Sequence, residues 1–232
     1  MDLSEFIEAA KSGDLDSVKK YLSSKGADIN ATNSSGATGL ILAAEKDHAD
    51  LVKYLIDAGA DLNIATKMGG TALNRAAENG NVTLMKLLLE KGAVIGDLAL
   101  IAAARAGELE AVQLLVEKGV DVDAQQRWGH TALMIAAKLG HNKVVSYLIN
   151  EGANVKLRDK NGDTAMMIAM DNEQEDIAML LKRAGAKAET KPAENKPTPE
   201  EVDDDEDDLV DDAPDVDDLV DEDEAPDDIE LD

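Results

Sequence analysis

The chain has 232 residues, of which 23 are Lys or Arg and 49 are Asp or Glu, giving a formal net charge of −26. It contains no Cys, which excludes disulfide scaffolds, Cys-ligated zinc and cysteine nucleophiles. With one Trp, one Phe and three Tyr, any core must be built from Ala, Leu, Ile and Val, which suits small, closely packed helices.

The chain opens on MDLSEFIEAAKSGD, which carries acids early and lacks the apolar stretch of a secretory signal. No apolar run approaches the roughly 18 residues of a membrane span. A soluble, cytoplasmic protein without membrane contact is expected. The polar first helix, with Glu5, Glu8 and Lys11, reads as a terminal cap. Helix-like runs then end at Gly26, Gly59, Gly92, Gly119, Gly152 and Gly185, at intervals of 33, 33, 27, 33 and 33 residues. A period near 33 means that one helical unit has been copied, so the chain is a stack rather than a single globule.

Each unit reads as a short first helix and a longer second one, parted by a turn at Gly13, Asp47, Gly80, Gly107 or Gly140. Thr38, Thr71, Thr131 and Thr164 stand where a side-chain oxygen caps the first helix. The glycine after the second helix fits a left-handed C-cap. The AD-x-N segments that follow are expected to be extended and to lead into a Gly-containing turn. The short interval after Gly92 removes that turn from the third loop, and Asp97 is expected to cap the next helix. The gap so created is either a tolerated loop deletion or an opening that admits a bulky partner element. In the last unit Lys182 occupies a column held elsewhere by Ile56, Leu89, Val116 and Ile149, so no further unit packs there. Six units with capped ends suggest a monomer.

These units, in the order TALMIAAKLGHNKVVSYLINEGANVK, resemble the ankyrin repeat: helix, turn, helix and a projecting β-turn finger. The likeness runs over residues 1–188. It implies an all-α repeat solenoid with β-turn fingers, the third one truncated. The family motif T-P-L-H-x-A is altered: Gly39, Ala72, Ala132 and Ala165 replace its Pro, and Ile41, Asn74, Met134 and Met167 replace its His. Loss of a Thr–His hydrogen bond in each unit is expected to cost modest stability without threatening the fold.

The resemblance also implies a binding surface on the finger tips and the exposed face of the first helices. Carried over residue by residue, that surface holds Glu45, Lys67, Met68, Arg105, Arg127, Trp128, His130, Lys138 and Lys160, together with Ala37 and Asp163. Trp128, the single Trp, lies at a finger tip beside Arg127, a typical hot-spot composition. It either anchors a partner or lies flat on the neighbouring finger. Arg105, Arg127, Lys138, Arg158 and Lys160 form a basic region around it. Arg75 stands in a column that is otherwise apolar, so its head either faces the gap, snorkels to water or pairs with Glu78.

From residue 189 the composition changes. Residues 190–232 hold 22 acids and two bases, and a disordered acidic tail is expected over 189–232. The motif DDLVD occurs at 207–211 and 217–221, and places Leu209, Val210, Leu219 and Val220 within the charge. The tail is a solubilising polyanion, a linear motif for a basic partner, or a segment that docks on the basic fingers. It repels phosphate, which argues against direct nucleic-acid binding.

No phosphate loop, dinucleotide fingerprint or H-E-x-x-H motif is present, and His48, His130 and His141 fall at turn and finger positions. No enzymatic activity, cofactor or metal is expected. The sequence points to a non-enzymatic adaptor or inhibitor that binds a protein, with a basic partner favoured by the tail. The alternative is a chaperone-like or nucleic-acid-mimicking protein that binds basic proteins through residues 200–232.

Overall fold

The structure, a computed structural model, describes residues 2–96 and 98–185. The expected capping role of Asp97 and the tail motifs at Leu209, Val210, Leu219 and Val220 lie outside the described residues. Twelve helices form six pairs among them. The pairs are α1 (Leu3–Ser12) with α2 (Leu15–Leu22), α3 (Gly39–Glu45) with α4 (Ala49–Asp57), and α5 (Ala72–Glu78) with α6 (Val82–Glu90). The second half repeats the plan with α7 (Leu98–Ala106) and α8 (Leu109–Glu117), α9 (Ala132–Lys138) and α10 (Asn142–Asn150), α11 (Ala165–Asp171) and α12 (Glu175–Arg183).

Short helices of this length are marginal alone, so each must be capped and packed. The four predicted threonines do cap: Thr38, Thr71, Thr131 and Thr164 accept from the backbone N–H three residues on, at 3.2–3.3 Å. Each cap stabilises its helix by about 1 kcal/mol. Asp2 adds a cap that sequence reading missed, a reciprocal capping box with Glu5. The glycines that end the second helices lie in the left-handed region, from φ 84° at Gly26 to 97° at Gly92.

The core is one column of small and branched residues. Ala43, Ala44, Ala76, Ala77, Ala103, Ala104, Ala136 and Ala137 are fully buried, which lets first helices approach closely. Leu55, Leu88, Leu115 and Leu148 fill the equivalent place in the second helices. Phe6 and Tyr21 stack at 4.3 Å and close the N-terminal end. The Phe6 ring also explains Gly39, because a β-carbon there would stand 2.9 Å from Phe6 Cζ. The C-terminal end shows Lys182 and Arg183 to solvent, and both suit the last turn of a helix.

Two expectations are corrected. The AD-x-N segments are Asx turns rather than extended: the Asp28, Asp61 and Asp121 carboxylates accept from the N–H two residues on, at 2.8–2.9 Å. A short carboxylate competes locally for the backbone and bends it. The lost Thr–His bond is not uniform either, since Thr71 Oγ1 donates to Asn74 Oδ1 at 3.0 Å and restores a side-chain link in that unit.

Candidate protein-binding surface

Four fingers project from the stack, each a tight turn closed by a glycine N–H. Gly36 donates to Asn33, Gly69 to Thr66, Gly129 to Gln126 and Gly162 to Asp159, at 2.8–3.0 Å. Neighbouring fingers are tied by two kinds of rung. One is backbone to backbone: Lys67 N–H donates to Ser35 O at 2.9 Å, and Lys160 N–H to Trp128 O at 3.0 Å. The other is side chain to backbone. Asn30 accepts from Asp61 N–H, Asn63 from Val94 N–H and Asp123 from Asn154 N–H, at 2.8–2.9 Å. These acceptors recur at one position of the unit, a signal that sequence reading passed over.

The fourth and fifth fingers form the most elaborated pair. Trp128 is 56% exposed, with Arg127 Cζ 5.7 Å and Lys160 Nζ 5.9 Å from its ring. Each such cation adds about 0.5–1 kcal/mol at an exposed site. His130 Nε2 lies 3.1 Å from Asp159 Oδ2, and that carboxylate is nearly buried. Its other oxygen accepts from the N–H groups of Asn161 and Asp163 at 2.8 and 2.9 Å, so it fixes the fifth finger from within. Beneath lies a shallow groove of about 160 Å³, lined by His130, Met134, Lys138, Asn161, Ile168 and Asp171. The groove is mainly polar and offers charge of both signs.

The remaining predicted residues are dispersed. Lys67 and Met68 sit on the second finger, with Met68 79% exposed. Arg105 is exposed at the end of α7, and its carbonyl meets His141 Nε2 at 2.9 Å. Arg75 lies in the ion network foreseen as one alternative: its Nη1 is 2.6 Å from Glu78 Oε2, and its Nε is 3.8 Å from Glu45 Oε2. Arg75 and Glu45 are thus occupied with each other. Arg158 does not join the basic region, because its guanidinium turns inward to the Gly162 carbonyl. Ala37 and Asp163, expected at the surface, are buried at 4% and 8% exposure, being the residues on which the fingers close.

Among the described residues no group of three or more His, Cys, Asp or Glu is placed to hold a metal ion, and no helix is long and apolar enough to cross a membrane.

Stacked helix pairs with fingers projecting from the loops between them define a class of repeat scaffold, and the sequence comparison names it. A family model of ankyrin repeats, three copies long, matches residues 6–99 and again residues 100–191. The chain belongs to the ankyrin repeat family. It is similar to the crystal structure of the human ASB11 ankyrin repeat domain, at 26% identity and a TM-score of 0.70, over 82% of this chain and 88% of that one. It is also similar to a chain in the complex of the Bd0816 predatory endopeptidase from Bdellovibrio bacteriovorus with immunity protein Bd3460. There the identity is 29% and the TM-score 0.69, over 79% of this chain and 99% of that one. Among curated proteins no sequence matches. Ankyrin repeats are protein–protein interaction modules, and the fold is generally a non-enzymatic scaffold.

Proposed function

We propose that this chain is a non-enzymatic adaptor or inhibitor, acting as a cytoplasmic monomer, that grips one partner protein between its finger tips and the exposed face of its first helices. The observation that carries the reading is Trp128, a large ring more than half exposed with two cations against it, beside a groove of mixed polarity. A ring so braced gives up little conformational freedom on binding, and aromatic residues next to Arg are the usual energetic centres of interfaces. Arg127, His130, Lys138 and Lys160 complete the centre, with Arg105, Lys67 and Met68 on its flank. A similar chain belongs to a complex of an endopeptidase with an immunity protein, which supports a role in protein–protein binding.

In this reading residues 1–188 are the binding domain, and residues 189–232 are an acidic segment that steers basic partners toward it. The test is affinity capture from the host's lysate with full-length chain, Trp128→Ala and a chain cut after residue 188. The expected outcome is one partner retained by the cut chain. Trp128→Ala should weaken its binding by about 30-fold, equivalent to about 2 kcal/mol. Partners that vanish with the acidic segment, and are generically basic, would transfer the function to residues 200–232.

A further inference from the structure

The two ladders that tie fingers together stop at the same place. Between the first and second fingers both rungs form, and between the fourth and fifth both form again. The truncated third loop receives one rung, from Asn63 to Val94, and among the described residues passes none on. Where Asn30, Asn63 and Asp123 supply an acceptor, the third loop has Gly96, which has no side chain. By the repeat, the third finger would donate an N–H to Met68 O and accept one from Arg127. Among the described residues, neither Met68 O nor Arg127 N–H has a hydrogen-bond partner. They are the two ends of a backbone ladder with one finger missing between them.

Three features set this interval apart from the paired fingers. A β-carbon on Gly36 or Gly129 would stand 3.0–3.2 Å from the backbone of the following finger, whereas at Gly69 the nearest atom is the tip of the half-buried Leu98 side chain. Met68, at the rim, is the most exposed large hydrophobic residue described, at 79%. Val94, on the truncated loop, is 65% exposed. The rim is also basic, with exposed Lys67 on one side and exposed Arg127 on the other, neither in an ion pair among the described residues.

We propose that this gap takes a β-turn loop of a partner protein, which completes the finger row from outside. The loop donates one backbone N–H to Met68 O, accepts the Arg127 N–H, rests an apolar side chain between Met68 and Trp128, and presents a carboxylate to Lys67 and Arg127. Backbone pairing supplies affinity while the two side chains supply selectivity, as in other strand-addition modes. The inference rests on the reading of the finger row as a protein-binding surface and assigns that surface a ligand chemistry.

The test uses the full chain as bait for a displayed library of disulfide-closed loops with six randomised tip residues. Selected loops are expected to carry an acid next to an apolar residue. Three variants then discriminate. Inserting a second copy of residues 64–69 between Gly96 and Asp97 rebuilds the finger and should weaken the loops at least about tenfold. Arg127→Ala keeps the N–H, while Arg127→Pro removes it. Proline suits that position, the second of the turn closed by Gly129 N–H on Gln126 O at 2.8 Å. Arg127→Pro should therefore bind about fivefold more weakly than Arg127→Ala, the worth of one backbone hydrogen bond. Circular dichroism of each variant checks that it is folded. Equal affinity for the finger-restored chain, or equal affinity for the Pro and Ala variants, overturns the proposal. Loops that map to Lys138 and the groove instead overturn it while leaving the finger-surface reading intact. No enrichment at all also overturns it, and the wider reading then stands or falls on capture with Trp128→Ala.

Discussion

Two loop junctions of this molecule have the same helices beside them and opposite architecture at their tips. Between the fourth and fifth loops, Trp128 O, Asp123 and Gln125 each take or give a hydrogen bond across the junction, and His130 meets Asp159. Between the third and fourth loops no described residue does so. On the opposite side of the stack the same junction is closed, because His141 packs over Gly107 as His48 packs over Gly13 and Glu108 over Gly80 in earlier pairs. A stack adds its stability unit by unit through nearest-neighbour interfaces. Removing six residues therefore weakens the finger row locally on both sides of the truncated loop, on the face proposed to bind a partner, and leaves the helical core continuous.

The largest test of that contrast is a matched pair of core truncations. Leu100 in α7 and Leu133 in α9 are equivalent positions, 1% and 2% exposed. Leu100→Ala and Leu133→Ala should each cost about 2–5 kcal/mol. Leu100→Ala strikes α7, which has one rung toward the second finger and, among the described residues, none toward the fourth, whereas Leu133→Ala strikes α9, which keeps both rungs toward the fifth. Leu100→Ala should therefore separate urea unfolding of the pairs before α9 from that of the last two pairs. Fluorescence of the single Trp, Trp128, reports the C-terminal block, and far-ultraviolet circular dichroism reports the whole. Coincident curves for Leu100→Ala would break the comparison.

A smaller effect is expected at the finger tips. Gly69 and Gly129 share a left-handed backbone, with φ 83° and 80°. Alanine at either position should cost about 1–2 kcal/mol from that strain alone. At Gly129 the added carbon also meets the Asp159 Cα and Lys160 N at 3.0 Å, and backbone cannot step aside. At Gly69 it meets only the end of Leu98, also at 3.0 Å. Gly129→Ala should therefore be about 1 kcal/mol or more worse than Gly69→Ala in thermal or urea unfolding. Equal costs would mean that the third-finger gap is as tightly packed as a finger pair.

Much of the fold was legible because its determinants are local and repeated. A glycine at a near-constant spacing of 33, a threonine before four of the six first helices and an alanine pair within five of them are properties of single units. The missing finger was legible for the same reason, as an interval shortened to 27. What could not be read were relations between units. Nothing local tells that Phe6 occupies the space above Gly39, or that Asn63 serves the next loop rather than its own. The same holds for the candidate surface. Exposure of Trp128 followed from its place at a finger tip, but the inward turn of Arg158 depends on the Gly162 carbonyl, and the engagement of Arg75 depends on Glu45 from the preceding unit. Charge counted along a sequence overstates a basic patch when some of its members are consumed in holding the scaffold together.

The finest test concerns the acceptor ladder, where a single substitution should repair what the deletion broke. Gly96 stands where Asn30, Asn63 and Asp123 place their acceptors, and a β-carbon there meets nothing within 4 Å. Its backbone is not among those with positive φ, so an L side chain brings no intrinsic strain. Asn at this position can accept the Asp121 N–H, which has no partner among the described residues. Gly96→Asn should therefore stabilise the chain, but part of any gain comes from restricting the unfolded state, which Gly96→Ala isolates at about 0.4–1 kcal/mol. The difference between the two variants measures the rung itself, with about 1 kcal/mol expected. If Asn gains no more than Ala, the third loop does not present its position 96 toward Asp121, and the interruption of the ladder is set by the path of the backbone rather than by the missing side chain.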